Sequence, residues 1–436
     1  MTAPFAIQRL ALRGMTTFQC LGEHCEDTCC RGWTIHVDEG HYKKLKRAFD
    51  HSDEERALFD QWIERNRSPG RQRHSFAVLQ QHGDGTCMFL DEKQWCGLQQ
   101  RLGEPMLPDV CSAYPRSIGQ NGRRIELTGS LSCPEVARKV LLAEDATDLV
   151  ESPIEPFGRG VVMRKAEGKT PWVSHLDELR VAMFRLAGRG DFPVRSRLFF
   201  MAWFAHQTSD FLRQGAVEEW DEERLQSELD AVDRPSVQEE LHAQLRASDA
   251  AGPLPVLVIA RTLAARLAQP GGAAFRTLVW TVLGSYASEP GSGVAAHPDG
   301  LRLTLDAGLL WQAFLRRKDA AVPLAEAVDL YLQNYCKQFW LRDWYVFSPS
   351  FLVHLQNLLV RVAIVRFLLL SHPSLAAIAA CPDPAERQRL LDALAVEVFY
   401  TFSRAVEHND GFLSMVSAAL AAELPGIGHS LALILL

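Results

Sequence analysis

Eight of the ten cysteines in this 436-residue chain lie between residues 20 and 133, and four of those fall in one run, Cys20, Cys25, Cys29 and Cys30, within CLGEHCEDTCC. Cys87, Cys96, Cys111 and Cys133 complete the set, and the rest of the chain holds only Cys336 and Cys381. Thiols at this density bond to one another or to a metal, and either bond dictates where the intervening loops can go. Compartment and size separate the two cases. Small secreted domains rely on disulfides because they bury too little apolar surface. This chain is long and 47% apolar, enough for a core without staples. Its first residues, MTAPFAIQRLALRGM, show neither a basic start nor the apolar stretch and small-residue cleavage site of a secretory signal. The expectation is a cytoplasmic protein with reduced thiols, where clustered cysteines bind metal or act chemically.

The length allows two or three domains, and the texture of the chain changes once. Residues 1–150 are cysteine-rich and irregular, with short β-compatible runs at 34–37, 75–80 and 125–131 among frequent Gly and Pro. One helix is predicted there from Glu39 to Asn66, capped by Asp38, with Tyr42, Leu45, Phe49, Leu58, Trp62 and Ile63 at near-helical spacing. A second is predicted from Pro134, a residue suited to a first helical turn. ESPIEPFGRG, 151–160, reads as a boundary. Beyond it, helices are predicted near 175–187, 195–214, 217–231, 236–248, 254–268, 274–287, 302–317, 323–341, 350–370, 385–407 and 410–423, with a loop at 289–300 and no fixed-period repeat. The expected fold class is mainly α: a cysteine-rich α+β region, 1–150, that binds a metal or cluster, then a large all-helical domain, 151–436, for substrate or partner.

A net charge of −7 lacks the basic field of a nucleic-acid binder. The most apolar segment, 351–370, approaches the length of a bilayer span, but His354, Gln356, Asn357, Arg361 and Arg366 interrupt it. It reads as a buried helix, so no membrane insertion is expected.

Soft thiolates suit zinc and iron–sulfur clusters. Paired CxxC motifs, the mark of a zinc ribbon, are lacking, and so is CxxxCxxC, since Gly32 stands at its third position. The neighbours Cys29 and Cys30 do not both enter one site without strain. Eight cysteines exceed what one cuboidal cluster needs, which leaves two centres, or one centre with some thiols packed as small hydrophobes.

Four segments, CEDTCCRGWTIHVD, GTCMFLDEKQWCGLQ, LPDVCSAYPR and LSCPEVAR, with YLQNYCKQFWLRDW and FYTFSRAVEHNDGFL further on, resemble the flagellin lysine-N-methylase family. The resemblance runs over nearly the whole chain and implies methyl transfer from S-adenosylmethionine to lysine amines of flagellin. It also implies a [4Fe–4S] centre, with zinc as the alternative metal. The ligand candidates it carries over are Cys20, Cys25, Cys29, Cys30, Cys87, Cys96, Cys111 and Cys133, of which Cys25, Cys29, Cys96 and Cys111 lie in the most tightly patterned segments. A non-catalytic cluster carrier with a helical partner-binding module is the alternative function.

Other residues are weighed on their own chemistry. A Rossmann-type donor site needs a Gly-rich turn after a strand, and Gly291-Ser292-Gly293 follows none, so any donor site is unconventional. Arg116 and Tyr114, beside Cys111, are candidate cofactor contacts, with a salt-bridge or turn role as the alternative for Arg116. Trp33 is a candidate shield over the metal or a core residue, and Glu26 and Asp27 are candidate amine ligands or turn residues. Asn334, Tyr335, Arg404, Glu407, His408 and Asn409 either line a substrate cleft or form a satisfied buried network. Arg65, Arg67, Arg71 and Arg73 form a docking patch or an exposed loop, and Cys336 and Cys381 read as core. No catalytic base stands out.

Overall fold

The computed structural model describes residues 8–152, 163–248, 252–267, 272–296, 303–406 and 410–436. It is mainly helical, with its sheets concentrated in the first 165 residues. The predicted boundary at 151–160 lies largely outside the described residues; its start closes the short strand Leu149–Glu151.

Two apolar cores organise the chain. The smaller comprises residues from Ile35 to Leu107, among them Tyr42, Phe49, Phe59, Phe76 and Phe89. It packs beneath a three-stranded antiparallel sheet in which Ala77–Leu79 runs between His36–Val37 and Ile63–Arg65. The larger core takes in Ala11, Leu12, Ile118, Leu127 and Val140 together with the helices of the second half. Its sheet has five strands in the order Leu149–Glu151, Gln8–Leu12, Arg124–Gly129, Arg116–Asn121, Met163–Lys165.

The single helix expected from Glu39 to Asn66 is two helices and a strand. Glu39–Ala48 starts where Asp38 accepts from the His41 amide at 3.0 Å, as the sequence predicts. The chain then breaks at Phe49, and Asp53–Trp62 restarts under a new cap, with Ser52 Oγ accepting from Glu55 N at 3.1 Å and three acidic residues in the first turn. The period misled because Phe49 and Phe59 both face the small core from separate helices. Ile63–Arg65 leaves the helical pattern to pair with Ala77–Leu79, burying Ile63.

In the second half the predicted helices appear with trimmed ends. The segment expected as helix 302–317 begins as strand Leu303–Leu305, paired with Val294–Ala296, before Asp306 caps Ala307–Ala320 through Leu309 N at 2.8 Å. The loop expected at 289–300 therefore contains a strand, and its residues 297–300 lie outside the described set. A helix the sequence reading missed, Ile427–Leu435, packs against Val194–Gln207. Phe351–Leu370 is the one described helix that is by itself long and apolar enough to cross a membrane. It is mostly buried, packed by Val194–Gln207, Pro384–Val406, Asp410–Glu423 and Ile427–Leu435.

The five-stranded sheet is fixed to the helices by charge and by shape. Glu126, in Arg124–Gly129, and Arg180, in Leu176–Ala187, are each 2% exposed and meet at 2.5 Å. Arg180 also donates to the Trp340 carbonyl at 3.0 Å. Gly119 lets the Trp344 indole sit against the strand, where a Cβ would meet it at 2.4 Å.

Candidate metal centre and adjoining cavity

The cysteines stand on short elements held by backbone pairing. After the turn Gly22–His24, Cys25 Sγ donates to Asp27 O at 3.2 Å. Thr28 Oγ1 accepts from Cys30 N at 3.1 Å, and Cys87 N donates to Cys30 O at 2.8 Å, tying the first run to the 80s loop. Cys96 and Cys133 precede the helices Gly97–Leu102 and Pro134–Leu141, and Cys111 lies within Asp109–Ala113. All ten cysteines are free thiols.

Cys30, Cys87, Cys96 and Cys111 gather around a cavity of ≈ 60 Å³ walled by Trp33, Ile35, Leu79, Phe89 and Leu98. Their protons are held tightly. The hydrogen bond with Cys29, followed by burial, pushes Cys30 up to about 12 against relief from Cys96. The Cys30 contact and burial raise Cys96 although the amides of Gln99 and Leu98 favour its thiolate, and burial raises Cys111 and Cys87. Four thiols converging on a largely apolar cavity are a candidate donor set for a soft metal centre, whose binding would displace those protons. Among the described residues no three cysteine sulfurs lie within 4.8 Å of one another. One tetrahedral zinc, with Zn–S of about 2.3 Å, requires sulfurs about 3.8 Å apart. A cuboidal cluster separates its ligands by four irons and suits the wider spacing.

A second cavity, ≈ 300 Å³, adjoins the first, and Cys29, Cys111 and Tyr114 line both. Cys20, Cys25 and Cys133 border it, with Asp27, Glu104, Arg116, Glu135 and Arg404. Arg404 reaches it from the long helix Pro384–Val406. It pairs with Asp27 and donates to Thr28 O at 3.2 Å and Ser132 O at 3.1 Å, joining the first cysteine run to the residue before Cys133. Glu26 is taken by Arg138, which also holds Glu135. Glu104 has a looser partner, Arg116, at 3.6 Å.

Most candidates from the sequence now have a position. The thiols Cys25, Cys29, Cys96 and Cys111 are divided: Cys96 lines the inner cavity alone, Cys25 the outer alone, and Cys29 and Cys111 both. Trp33 walls the inner cavity, donates to Cys29 O at 2.6 Å and packs on Tyr114 at 5.7 Å. Tyr114 contacts Ser132 Oγ at 3.1 Å, and burial, then the nearby Cys133, raises its pKa. Arg116 lines the outer cavity. Asn334 belongs to a satisfied network: it accepts from Thr147 Oγ1 at 3.1 Å and donates to the Leu141 and Ala143 carbonyls. Tyr335 is buried against Phe399. Glu407, His408 and Asn409 lie outside the described residues. In the basic run, Arg65 and Arg71 stack on Phe76. Cys336 is buried, whereas Cys381 is half-buried. The sequence reading did not single out Glu104, Gln99 or Glu135, although Gln99 and Glu135 lie within GTCMFLDEKQWCGLQ and LSCPEVAR.

The sequence model of the FliB lysine N-methylase C-terminal domain matches residues 180–433, more than half of the chain. The chain belongs to the FliB lysine N-methylase family. Flagellar biosynthetic protein FliU of Salmonella muenchen is 31% identical over 152 residues, which cover 35% of this chain and 86% of that protein. Lysine-N-methylases of Salmonella typhimurium (strain LT2) and Salmonella choleraesuis are each 33% identical over 143 residues, 32% of this chain and 34% of theirs. The alignment thus spans about a third of the two methylases' length. No solved structure matches. The segment matched to the FliB C-terminal domain includes Arg404, so this part of the chain reaches into the cysteine loops.

Proposed function

We propose that this member of the FliB lysine N-methylase family is a protein lysine N-methyltransferase that moves methyl groups from S-adenosylmethionine to lysines of flagellin. The match over residues 180–433 carries the reading, supported by relatives named lysine-N-methylase and flagellar biosynthetic protein. The thiols point to a [4Fe–4S] cluster held by Cys30, Cys87, Cys96 and Cys111, whose spacing suits a cluster better than one zinc. When bound, such a cluster would supply a rigid anchor for the segments that bear these four cysteines. A cytoplasmic setting would keep these thiols reduced and available to a metal.

The reaction is a displacement. The lysine nitrogen's lone pair attacks the methyl carbon, the carbon–sulfur bond breaks, S-adenosylhomocysteine leaves, and the nitrogen sheds a proton. The amine starts protonated, with an ordinary pKa of about 10.4. Loss of that proton and alignment of the two partners are what a protein can supply. We assign both to the outer cavity. Arg116 offers a guanidinium to a donor carboxylate, and Tyr114 offers an aromatic face beside it, with Trp33 packed against Tyr114 from the inner cavity. Asp27 and Glu135 are engaged by arginines. Glu104, with its looser partner and half-exposed position, is the group we assign to taking up the lysine proton.

Calorimetry with S-adenosylmethionine tests the assignment. Binding that Arg116→Ala weakens supports it; a metal-loaded protein with no affinity for the donor contradicts it.

A further inference from the structure

The helices Val194–Gln207, Ala325–Arg342, Phe351–Leu370 and Ile427–Leu435 enclose a cavity of ≈ 210 Å³. It shares no lining residue with the two cysteine cavities. Its walls are largely aliphatic, with Leu198, Leu332, Val362 and Leu433 among them, and three charged side chains interrupt them: Arg195, Arg366 and Asp329.

These charges do not balance. Asp329 is a single carboxylate, and it is turned to the start of Val194–Gln207, where it accepts from Val194 N at 3.2 Å. Among the described residues neither Arg195 nor Arg366 has an ion pair within 4.0 Å. A third cation, Lys318, stands near both. Burial, followed by repulsion from Arg366 and Arg195, lowers its pKa to about 8 against the pull of Asp319. Lys318 is itself occupied, donating to Leu436 O at 3.2 Å. Burial also lowers the Arg366 pKa, more than Asp329 restores, and Arg195 adds to the lowering. Two half-buried guanidiniums that repel one another beside an apolar cavity carry a cost that an anion between them relieves. A guanidinium is a planar fork of donors that matches a carboxylate. An apolar cavity of about 150 Å³ admits benzene, so this one has room for a chain of about six carbons behind the head group. We propose that the cavity binds a small carboxylate with a short apolar chain, its head group between Arg195 and Arg366 and its chain against Leu198, Leu332 and Val362. The inference depends on neither the metal reading nor methyl transfer.

Hexanoate is titrated into the full-length protein by calorimetry, beside hexanol, hexylammonium and inorganic phosphate, and the thermal midpoint is followed in parallel. One-to-one binding of hexanoate that raises the midpoint is expected. Hexanol and hexylammonium, without the negative head group, and phosphate, without the chain, should each bind at least about tenfold more weakly. Arg195→Gln and Arg366→Gln should each weaken hexanoate at least about tenfold and leave the unliganded midpoint unchanged or raised, since each removes a repelling charge. Should Arg366→Gln fail to fold, Arg195→Gln, on a different helix, decides. No saturable binding of hexanoate to the wild type overturns the proposal. So does a folded variant that binds hexanoate as the wild type does, which would leave the arginines a structural role only. Phosphate or hexanol binding as tightly as hexanoate would overturn the ligand class. S-adenosylmethionine should not displace hexanoate; displacement would overturn the separation of this site from that of the methyl donor.

Discussion

Arg404 shows how much of the site depends on one side chain far away in sequence. It spans the two chain segments that bear Cys25, Cys29 and Cys133, and with Asp27 it forms a partly exposed ion pair. Arg404→Ala should cost about 1–2 kcal/mol, discounted for that exposure, and should raise the alkylation rate of Cys25 and Cys29. Unchanged labelling would show that the loop holds itself. Glu104→Gln tests the proton acceptor: methylation should fall roughly 10²-fold near neutral pH and recover as the pH rises toward the amine's own pKa. An unshifted pH profile would remove Glu104 from that role. The cysteines were legible as ligand candidates because their density is itself a signal. Their division was not, since it depends on which way Cys29 and Cys30 turn, and no spacing rule encodes that. Asn334 looked out of place on an apolar helix; its amide satisfies the Leu141 and Ala143 carbonyls, a tertiary reason no local pattern carries.

At the scale of elements, the second-half helices were readable because their apolar periodicity and caps agree; Asp306 and Ser350 both cap as their side chains allow. The Glu39–Asn66 region was not, because one apolar period ran on through the Ser52 cap. The edge strands Leu149–Glu151 and Met163–Lys165 are too short to show alternation and exist only through their partners. The seam between sheet and helices is tightly fitted at Gly119, where a methyl group would strike the rigid Trp344 ring. Gly119→Ala should therefore destabilise the protein by about 1–3 kcal/mol, read as a lower midpoint in denaturant with an unchanged slope. A neutral result would mean that the indole moves freely.

For the whole molecule, two cores imply two responses. The small core is bordered by the thiols proposed as metal ligands, whereas the large one is built mainly from helices. Chelation should expose residues 20–111 to protease while most of the helical circular dichroism remains; a single cooperative loss of both would contradict the division. Acid should act on the large core. Burial lowers the His354 pKa to about 4, so the folded state resists the proton that the unfolded chain takes up near 6.5. Stability is full above about 6.5 and falls as the pH drops toward 4, by up to about 3 kcal/mol from this group. His206, His372 and His429, lowered in the same direction by burial, add to the slope. His354→Gln should flatten that slope without abolishing it, and an identical pH dependence would rule out His354 as a contributor.

The account stands most directly on methyl transfer itself. Metal-loaded protein is incubated anaerobically with flagellin and S-adenosylmethionine, and the flagellin is weighed intact. The account predicts added whole methyl increments on lysine, absent without donor and lost in Cys87→Ser/Cys96→Ser. Flagellin of unchanged mass, with the metal confirmed in place and the donor in excess, would contradict it.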